Sequence, residues 1–397
     1  MSTSLPEFCV PQEPFLSASF LSVRASPAST PRLPEASRRY LFFFARNAIY
    51  HVLRLAKIAP GEEVLVPAYV CKVVPEAIRG YGGTVVYYAV DRECRPDFSD
   101  LEKKLSSRTR ALMAVHFFGF PQPIVCFQQF CKRHNLFLVE DCCHVLQSEV
   151  NGVPLGRFGD ASLFSFRKFY PLYDGGELVL NIPGSEFDVD WRRESPLFTF
   201  REAVDLIDQT AGRNAKSILH QPYRLLQSLR RPIAQLLRSA TTSSSGSMAV
   251  QKTDATFDLG LVNQPMSRLS KLVLGHSNAS AIAAQRRANY IFLQNELPRR
   301  DGLRFLVPAL PEGVCPWVFP LFFDQLPDAC QVLRSEGIPA VTWEGVRPLD
   351  VDLRLFENLE LLYKNLVFLP IHQNLSAQDM SLILQAVKRV QESRNHR

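Results

Sequence analysis

No apolar run in the sequence reaches the roughly 18 residues that a helical membrane span needs, so no transmembrane segment and no membrane partner is expected. The opening Met-Ser-Thr-Ser-Leu-Pro-Glu lacks the basic stretch and apolar core of a secretory leader, and a cytoplasmic location is expected. The nine cysteines are irregularly spaced and include no Cys-x-x-Cys pair. That excludes the common structural zinc patterns; no metal is expected, and buried, reduced thiols are. Positive charge is not gathered into a block either. The net +6 is spread through pairs such as Arg38-Arg39, Arg230-Arg231, Arg286-Arg287 and Arg299-Arg300. Without a basic stretch interleaved with aromatics, nucleic acid is not an expected partner; a small anionic substrate suits the surface better. No internal repeat is visible.

What is present is an ordinary globular composition, 46% hydrophobic and 21% charged over 397 residues, enough for two or three lobes. Residues 1–37 carry Pro6, Pro11, Pro14, Pro27, Pro31 and Pro34 among many serines, which predicts a flexible arm without regular structure. From Tyr40 onwards, Phe42-Phe43-Phe44 leads into a helix with Ile49, Val52, Leu53 and Ala56 on one face. Strands are then predicted at 63–66, 84–90, 111–117, 136–141, 161–166 and 177–180. Helices at 73–79, 98–105 and 124–134 fall between them. This alternation predicts a largely parallel sheet covered on both faces, with its ligand site at the carboxyl ends of the strands. Helices at 200–208 and 223–239 precede a polar stretch, 241–247, read as part of a mobile loop near 240–256. A long helix over 277–296, strands at 317–323 and 366–370 and helices at 327–336 and 377–392 predict a smaller α/β domain. The expected divisions are 1–37, 38–260 and 261–397.

The chemistry gathers at the strand ends. Lys168 closes Ser165-Phe166-Arg167-Lys168, six residues before Asp174-Gly175-Gly176. Glu140-Asp141 ends an earlier strand, with His144 three positions on. A carboxylate on one strand end and an amine on a later one is the layout of a pyridoxal phosphate enzyme. The acid holds the ring nitrogen protonated and the lysine forms the Schiff base. Taken singly, Lys168 is an ordinary strand-end lysine and Asp141 an ordinary cap; the pair shifts the balance. His144 is either a ring-stacking residue or a satisfied core histidine. Ser165 is either a phosphate contact or a small residue in a packed strand. Ala45-Arg46-Asn47 opens a helix whose N-terminal N–H groups can bind a phosphate. His116 ends a strand as a cap or a site residue.

In their order, Val-Pro-Ala-Tyr, Val-His-x-x-Gly, Glu-Asp-Cys-Cys-His, Ser-Phe-x-Lys and Asp-Gly-Gly resemble the DegT/StrS-type sugar aminotransferases. So do Arg286-Arg287-Ala288-Asn289-Tyr290, Glu336-Gly337-Ile338-Pro339-Ala340 and Leu369-Pro370-Ile371-His372-Gln373-Asn374-Leu375-Ser376. The resemblance is strongest over about residues 40–180. It implies an α/β, fold type I pyridoxal phosphate enzyme: a mostly parallel seven-stranded sheet between helices, plus a smaller C-terminal α/β domain. It implies Lys168 as the cofactor lysine, Asp141 at the ring nitrogen, His144 stacked on the ring, and Ser165 with the backbone of Ala45, Arg46 and Asn47 at the phosphate. Tyr69 and Cys71 border the cofactor, and His116, Arg167 and Tyr170 fall on the substrate side. The expected partners are a keto-sugar, an amino-acid donor and a second copy of the chain sharing its active sites. The expected reaction moves an amino group from glutamate or glutamine to a nucleotide-linked keto-sugar in polysaccharide or glycan synthesis. A lyase or dehydratase reaction, or a non-catalytic cofactor-binding sensor, is the alternative. The chain departs from the family in three places. Ser165 and Lys168 are two residues closer than in the usual Ser-Phe-x-Pro-x-Lys. Phe44-Ala45-Arg46-Asn47 stands where Ser-Gly-Thr-Ala is usual. Cys71 stands where an aromatic often lines the ring.

Overall fold

The computed structural model describes residues 8–22, 38–194, 257–297, 302–324 and 326–392, together with Ala203 and Leu206. A seven-stranded sheet dominates it. Its strands are β1 (Arg38–Phe42), β2 (Glu63–Pro67), β3 (Thr84–Tyr88), β4 (Thr109–Val115), β5 (Phe137–Cys142), β8 (Ala161–Ser165) and β9 (Gly176–Leu180). A short hairpin, β6 (Glu149–Val150) and β7 (Val153–Pro154), lies between β5 and β8. The order across the sheet is β1-β9-β8-β5-β4-β2-β3. Only β9 runs against the others, antiparallel to both β8 and β1. Strands β2, β8 and β9 are buried at every position. Burial on both faces favours apolar residues at consecutive positions, interrupted here by Glu63, Ser162, Ser165 and Glu177.

Helices α1 (Ala45–Leu55), α2 (Val73–Tyr81), α3 (Phe98–Lys104) and α4 (Ile124–His134) connect these strands. Local signals bound them, although α2 runs past its expected end at residue 79 to Tyr81. Asp97 caps α3 by accepting from the N–H groups of Ser99 and Asp100, at 2.8 and 3.1 Å. Gly82 and Asn135 close α2 and α4 in left-handed conformations. Strand β1 was not foreseen. Residues 38–42 pair with β9 from Arg38↔Leu180 to Phe42↔Gly176, so the residues read as a lead-in to α1 are an edge strand whose partner lies far along the chain.

Beyond residue 257 come α5 (Arg268–Gly275), α6 (Ala279–Glu296) and a three-stranded antiparallel sheet. Its strands are β10 (Leu303–Phe305), β11 (Phe319–Phe323) and β12 (Leu366–Leu369). Helices α7 (Ala329–Ser335), α8 (Leu359–Asn365) and α9 (Ala377–Glu392) accompany it. The expected helices at 200–208 and 223–239 and the loop near 240–256 lie outside the described residues, apart from Ala203 and Leu206, which are helical. No helix among the described residues is long and apolar enough to cross a membrane.

Part of the N-terminal segment is docked and not free. Cys9 donates its N–H to the Gly337 carbonyl at 2.9 Å, and residues 18–20 form a 3-10 turn. Phe15 N–H donates to Asn374 Oδ1 at 3.1 Å, and His372 Nε2 donates to the Pro11 carbonyl at 3.0 Å. The prolines prevent a helix there, but they do not prevent the backbone from finding partners on the C-terminal elements. The cysteines are all free thiols. Cys94, Cys131, Cys142 and Cys315 are buried as expected, whereas Cys9 and Cys126 are exposed.

Candidate active site

Strand β8 delivers Ser165 at its end, and a 3-10 turn, Phe166–Lys168, follows at once. On the neighbouring strand, Asp141 pairs in register with Leu163. The amine and the carboxylate therefore emerge from adjacent parallel strands at the same edge. Burial draws the Lys168 amine below the ordinary lysine range; Cys143, Asp141 and Cys71 oppose the shift and Arg167 adds to it. Asp141 is buried, and its Oδ1 accepts from the Cys143 N–H at 2.9 Å. The amine thus gives up its proton more readily than a free lysine, and the Asp141 carboxylate lies on the adjacent strand.

The start of α1 reaches the same edge because of Gly176. In register it lies opposite both Ser165 and Phe42. A Cβ at this position would overlap the backbone of Phe44 and Ala45, so only glycine lets β9 pass beneath the helix start. Gly175, at φ +121°, donates its N–H to the Phe43 carbonyl at 2.7 Å. Asp174 turns inward and accepts from the Ser267 N–H at 2.6 Å and from its hydroxyl at 3.2 Å; burial raises its pKa to about 6. The Asp-Gly-Gly motif is thus the hinge that sets α1 against β9. Two guanidiniums lie over the Phe44 ring at this helix start, Arg46 at 4.2 Å and Arg167 at 5.3 Å from its centroid. Together with Ser165 and the helix N-terminus they make a positive, anion-accepting corner.

Several expected site residues belong to the core. His116 is fully buried; its Nε2 donates to Glu140 Oε1 at 3.0 Å and its Nδ1 accepts from the Gln122 N–H at 3.0 Å. Both ring nitrogens are engaged, so it offers nothing to a substrate. Glu140 also accepts from the N–H groups of Gly156, Phe158 and Gly159 at 2.6, 2.8 and 2.9 Å. His116, Glu140 and Cys142 bring donor atoms within 4.8 Å of one another. With its carboxylate filled in this way, the group is a structural hub and not a metal centre. Tyr170 is buried with its ring edge-on to Phe166, which removes it from the substrate side. Tyr69 is buried among Phe117, Trp343 and Tyr363, so it does not wall the pocket. Asn47 is buried, accepts the Phe44 N–H through its own Oδ1 and gives its N–H to the Phe44 carbonyl. It caps the helix instead of binding an anion.

His144 is near Lys168 but does not present an open face. It lies nearly parallel to Trp317 at 4.4 Å and 9°, and to Phe118 at 5.9 Å and 3°. Its Nδ1 accepts from the Phe118 N–H at 3.3 Å, and burial holds its pKa well below the ordinary value. Burial raises the pKa of the Cys71 thiol, against the opposing charges of Lys168 and Arg46. Gly119, at φ +94°, lies so close to the carbonyls of Cys315 and His144 that no Cβ fits. That accounts for the glycine in Val-His-x-x-Gly.

Three residues near Lys168 went unassigned in the sequence. Trp317 carries the Lys168 Nζ over its ring at 4.9 Å. Arg286, buried, donates to the carbonyls of Trp317 and Lys168 at 2.8 and 3.2 Å and to Gln373 Oε1 at 3.0 Å. Gln373 in turn donates to the Phe169 carbonyl at 2.8 Å. Arg286 and Gln373 sit inside motifs visible in the sequence; only their contact with the lysine turn was hidden.

Comparison with known proteins finds similar chains. Residues 45–184 match the profile of the DegT/DnrJ/EryC1/StrS aminotransferase family. Over 137 residues the chain is 34% identical to a GDP-perosamine synthase of Escherichia coli O157:H7, covering 34% of this chain and 38% of that protein. Over 137 residues it is 32% identical to a UDP-N-acetyl-3-dehydro-alpha-D-glucosamine 3-aminotransferase of Acidithiobacillus ferrooxidans, covering 34% and 37%. The matched stretch thus spans well under half the length of these curated relatives. Among solved structures, Helicobacter pylori PseC, an aminotransferase involved in the biosynthesis of pseudoaminic acid, superposes with a TM-score of 0.66. The identity is 18%, covering 98% of this chain and 100% of that one. Ntda from Bacillus subtilis, solved with bound cofactor PMP, superposes with a TM-score of 0.60 at 16% identity, covering 89% and 73%.

Proposed function

We propose that this chain, whose residues 45–184 match the profile of the DegT/DnrJ/EryC1/StrS aminotransferase family, is a pyridoxal phosphate-dependent aminotransferase acting on a keto-sugar. The observation that carries the reading is Lys168, half-buried just past the end of β8, next to Asp141 at the end of the adjacent strand, with the positive corner of Ser165, Arg46 and Arg167 at the start of α1. These groups fit the cofactor part by part. A neutral amine takes an aldehyde, a buried carboxylate takes a protonated ring nitrogen, and a cationic corner with a hydroxyl takes a phosphate. When bound, the cofactor supplies an electron sink and carries the amino group between donor and acceptor.

The chain's own residues do the rest. Lys168 would hold the cofactor's aldehyde end through Nζ and, once released, would carry a proton from the donor's Cα to that former aldehyde carbon, a role that a depressed pKa favours. Asp141 keeps the ring nitrogen protonated through its charge. Arg46 and Arg167 hold the phosphate and, through it, the orientation of the ring. An amino acid and a keto-sugar enter; an oxo acid and an amino sugar leave. A nucleotide-linked sugar suits the names of the curated relatives, several of which are GDP-, UDP- or dTDP-sugar enzymes. In this reading the enzyme works in the cytoplasm as a homodimer, in polysaccharide or glycan synthesis. It draws on glutamate or glutamine.

The test is the visible absorption spectrum of purified protein with added pyridoxal phosphate, before and after excess glutamate, with Lys168→Ala alongside. The expected result is a lysine-linked cofactor band that glutamate converts and that the variant lacks. Wild-type turnover in Lys168→Ala, or no cofactor binding by the wild type, overturns the reading.

A further inference from the structure

We propose that Gln373, locked in place by Arg286, is a positioning residue for Lys168: it holds the turn that presents the amine. The inference rests on the pyridoxal phosphate reading and deepens it. Two stretches singled out in the sequence, Arg286-Arg287-Ala288-Asn289-Tyr290 and Leu369-Pro370-Ile371-His372-Gln373-Asn374, meet at that turn. Arg286 Nε donates to Gln373 Oε1 at 3.0 Å. Asn289, one helical turn further along α6, donates to the carbonyls of Ile371 and His372 at 3.3 and 3.1 Å. One face of α6 therefore fixes both the side chain of Gln373 and the backbone that carries it.

The pair reaches the lysine turn at two successive carbonyls. Arg286 Nη2 donates to the Lys168 carbonyl at 3.2 Å, and Gln373 Nε2 donates to the Phe169 carbonyl at 2.8 Å. The Arg286 guanidinium also lies 4.8 Å from the Phe169 ring centroid. Both ends of the Gln373 amide are used, so the network dictates which end faces the turn. The turn needs holding. It is a single 3-10 turn, Phe166–Lys168, after which Phe169 and Tyr170 both donate to the Phe166 carbonyl at 2.9 Å. Hydrogen bonds inside such turns have poor geometry. This one is also two residues shorter, between Ser165 and Lys168, than the family resemblance predicts. Pinning the oxygens of Lys168 and Phe169 fixes the two peptide planes that follow the lysine Cα.

What the pair serves is the condensation of that amine with an aldehyde. Nζ bonds to the aldehyde carbon, both amine protons leave with the aldehyde oxygen as one water, and a C=N bond remains. A reacting group has to be held within about 0.5 Å and 10–20° of its productive position. A misplacement of about 1 Å can cost on the order of 100-fold. The lysine stem is itself flexible, so a fixed backbone beneath it is the part of that precision the fold supplies. Packing alone does not call for Gln373, because an apolar side chain of similar size fills the same volume. Such a side chain cannot join a guanidinium to a carbonyl through the two ends of one planar amide.

The experiment compares wild type, Gln373→Leu, Gln373→Glu and Asp97→Ala, the last removing the cap of α3 as a control for general destabilisation. Two cofactor forms are used. Pyridoxal phosphate links to the lysine, and its rate of linkage is read by borohydride trapping and mass spectrometry of the Lys168 peptide. Pyridoxamine phosphate cannot link, and its affinity is read by equilibrium dialysis. Both Gln373 variants are expected to link about tenfold more slowly while binding pyridoxamine phosphate as the wild type does. Asp97→Ala is expected to match the wild type in both. Gln373→Glu keeps an oxygen for Arg286 and replaces only the donor to Phe169, so it decides if Gln373→Leu fails to fold. Wild-type linkage rates in the folded variants overturn the inference. So does an equal loss for both cofactor forms, which marks general damage to the pocket, and so does slow linkage in Asp97→Ala. Loss of folding in both Gln373 variants makes the residue structural and overturns it as well. A wild type that takes up neither cofactor form brings down the cofactor reading together with the inference, and is told apart by that control.

Discussion

Arg286 donates from Nη2 to the backbone carbonyl of Lys168 at 3.2 Å, joining a buried cation of α6 to the turn that carries the candidate catalytic amine. No carboxylate accepts from this guanidinium in the hydrogen bonds described above. Its partners are two carbonyls, the Gln373 amide oxygen and the Phe169 ring at 4.8 Å, and burial lowers its pKa to about 10. Such a cation stays buried because three oxygens and a π face replace its water.

Replacing Arg286 with alanine strands those three oxygens. The expected cost is about 3 kcal/mol or more in urea unfolding, from buried acceptors left unmade. Arg286→Lys reaches fewer of them and is expected to fall between. Unchanged unfolding in Arg286→Ala means that the clamp adds nothing to stability.

Glu177 gives the fold a pH dependence. Fully buried, it accepts from Arg39 Nε at 2.6 Å, yet burial raises its pKa from 4.5 to about 7. A raised acid binds its proton more tightly in the folded chain. Its contribution to stability is therefore fully present below pH 4.5 and lost as the pH rises through 7. Glu177→Gln is expected to be more stable than wild type at pH 8, by on the order of 2 kcal/mol, and equal to it near pH 4. Denaturant titrations at the two pH values check this; an equal gain at both contradicts it.

Gly176→Ala places a methyl group into the backbone of Phe44 and Ala45. Neither neighbour is a flexible side-chain end, so β9 must move away from α1. A loss of about 3 kcal/mol or more is expected, with the Ser165–α1 corner opened at the same time. Thermal melting reads the first effect and retention of inorganic phosphate the second.

Arg46→Gln separates the phosphate corner from the lysine. Retention of pyridoxal phosphate is expected to weaken by roughly tenfold, while binding of pyridoxal, which lacks the phosphate, stays as in the wild type. Equal losses for both ligands place Arg46 away from the phosphate.

Much of the sheet was legible because parallel strands buried on both faces are mostly apolar, and because Asp97 and Asn135 carry local start and stop chemistry. Helix α4 was read to its end residues for that reason. Strand β1 was not, since an edge strand takes its identity from its partner β9, which begins 134 residues after β1 ends. The candidate site divides in the same way. Lys168, Asp141 and Ser165 were visible because topology places strand ends together. His116, Tyr170 and Tyr69 were misplaced, because a residue next to a strand end can turn either into the pocket or into the core. Only packing settles which.

The sequence by itself determined the alternation of strands and helices, the edge at which chemistry gathers, and the lysine and aspartate carried to it by neighbouring strands. These follow from local periodicity, turn residues and the rule that parallel strands share a direction. Tertiary structure alone decided what surrounds the amine. Trp317 and Arg286 stand 149 and 118 residues beyond Lys168, and no local preference tells an indole before β11 or an arginine in α6 what it will touch. Side-chain stacking and buried hydrogen bonds are settled only when distant segments close over the same volume.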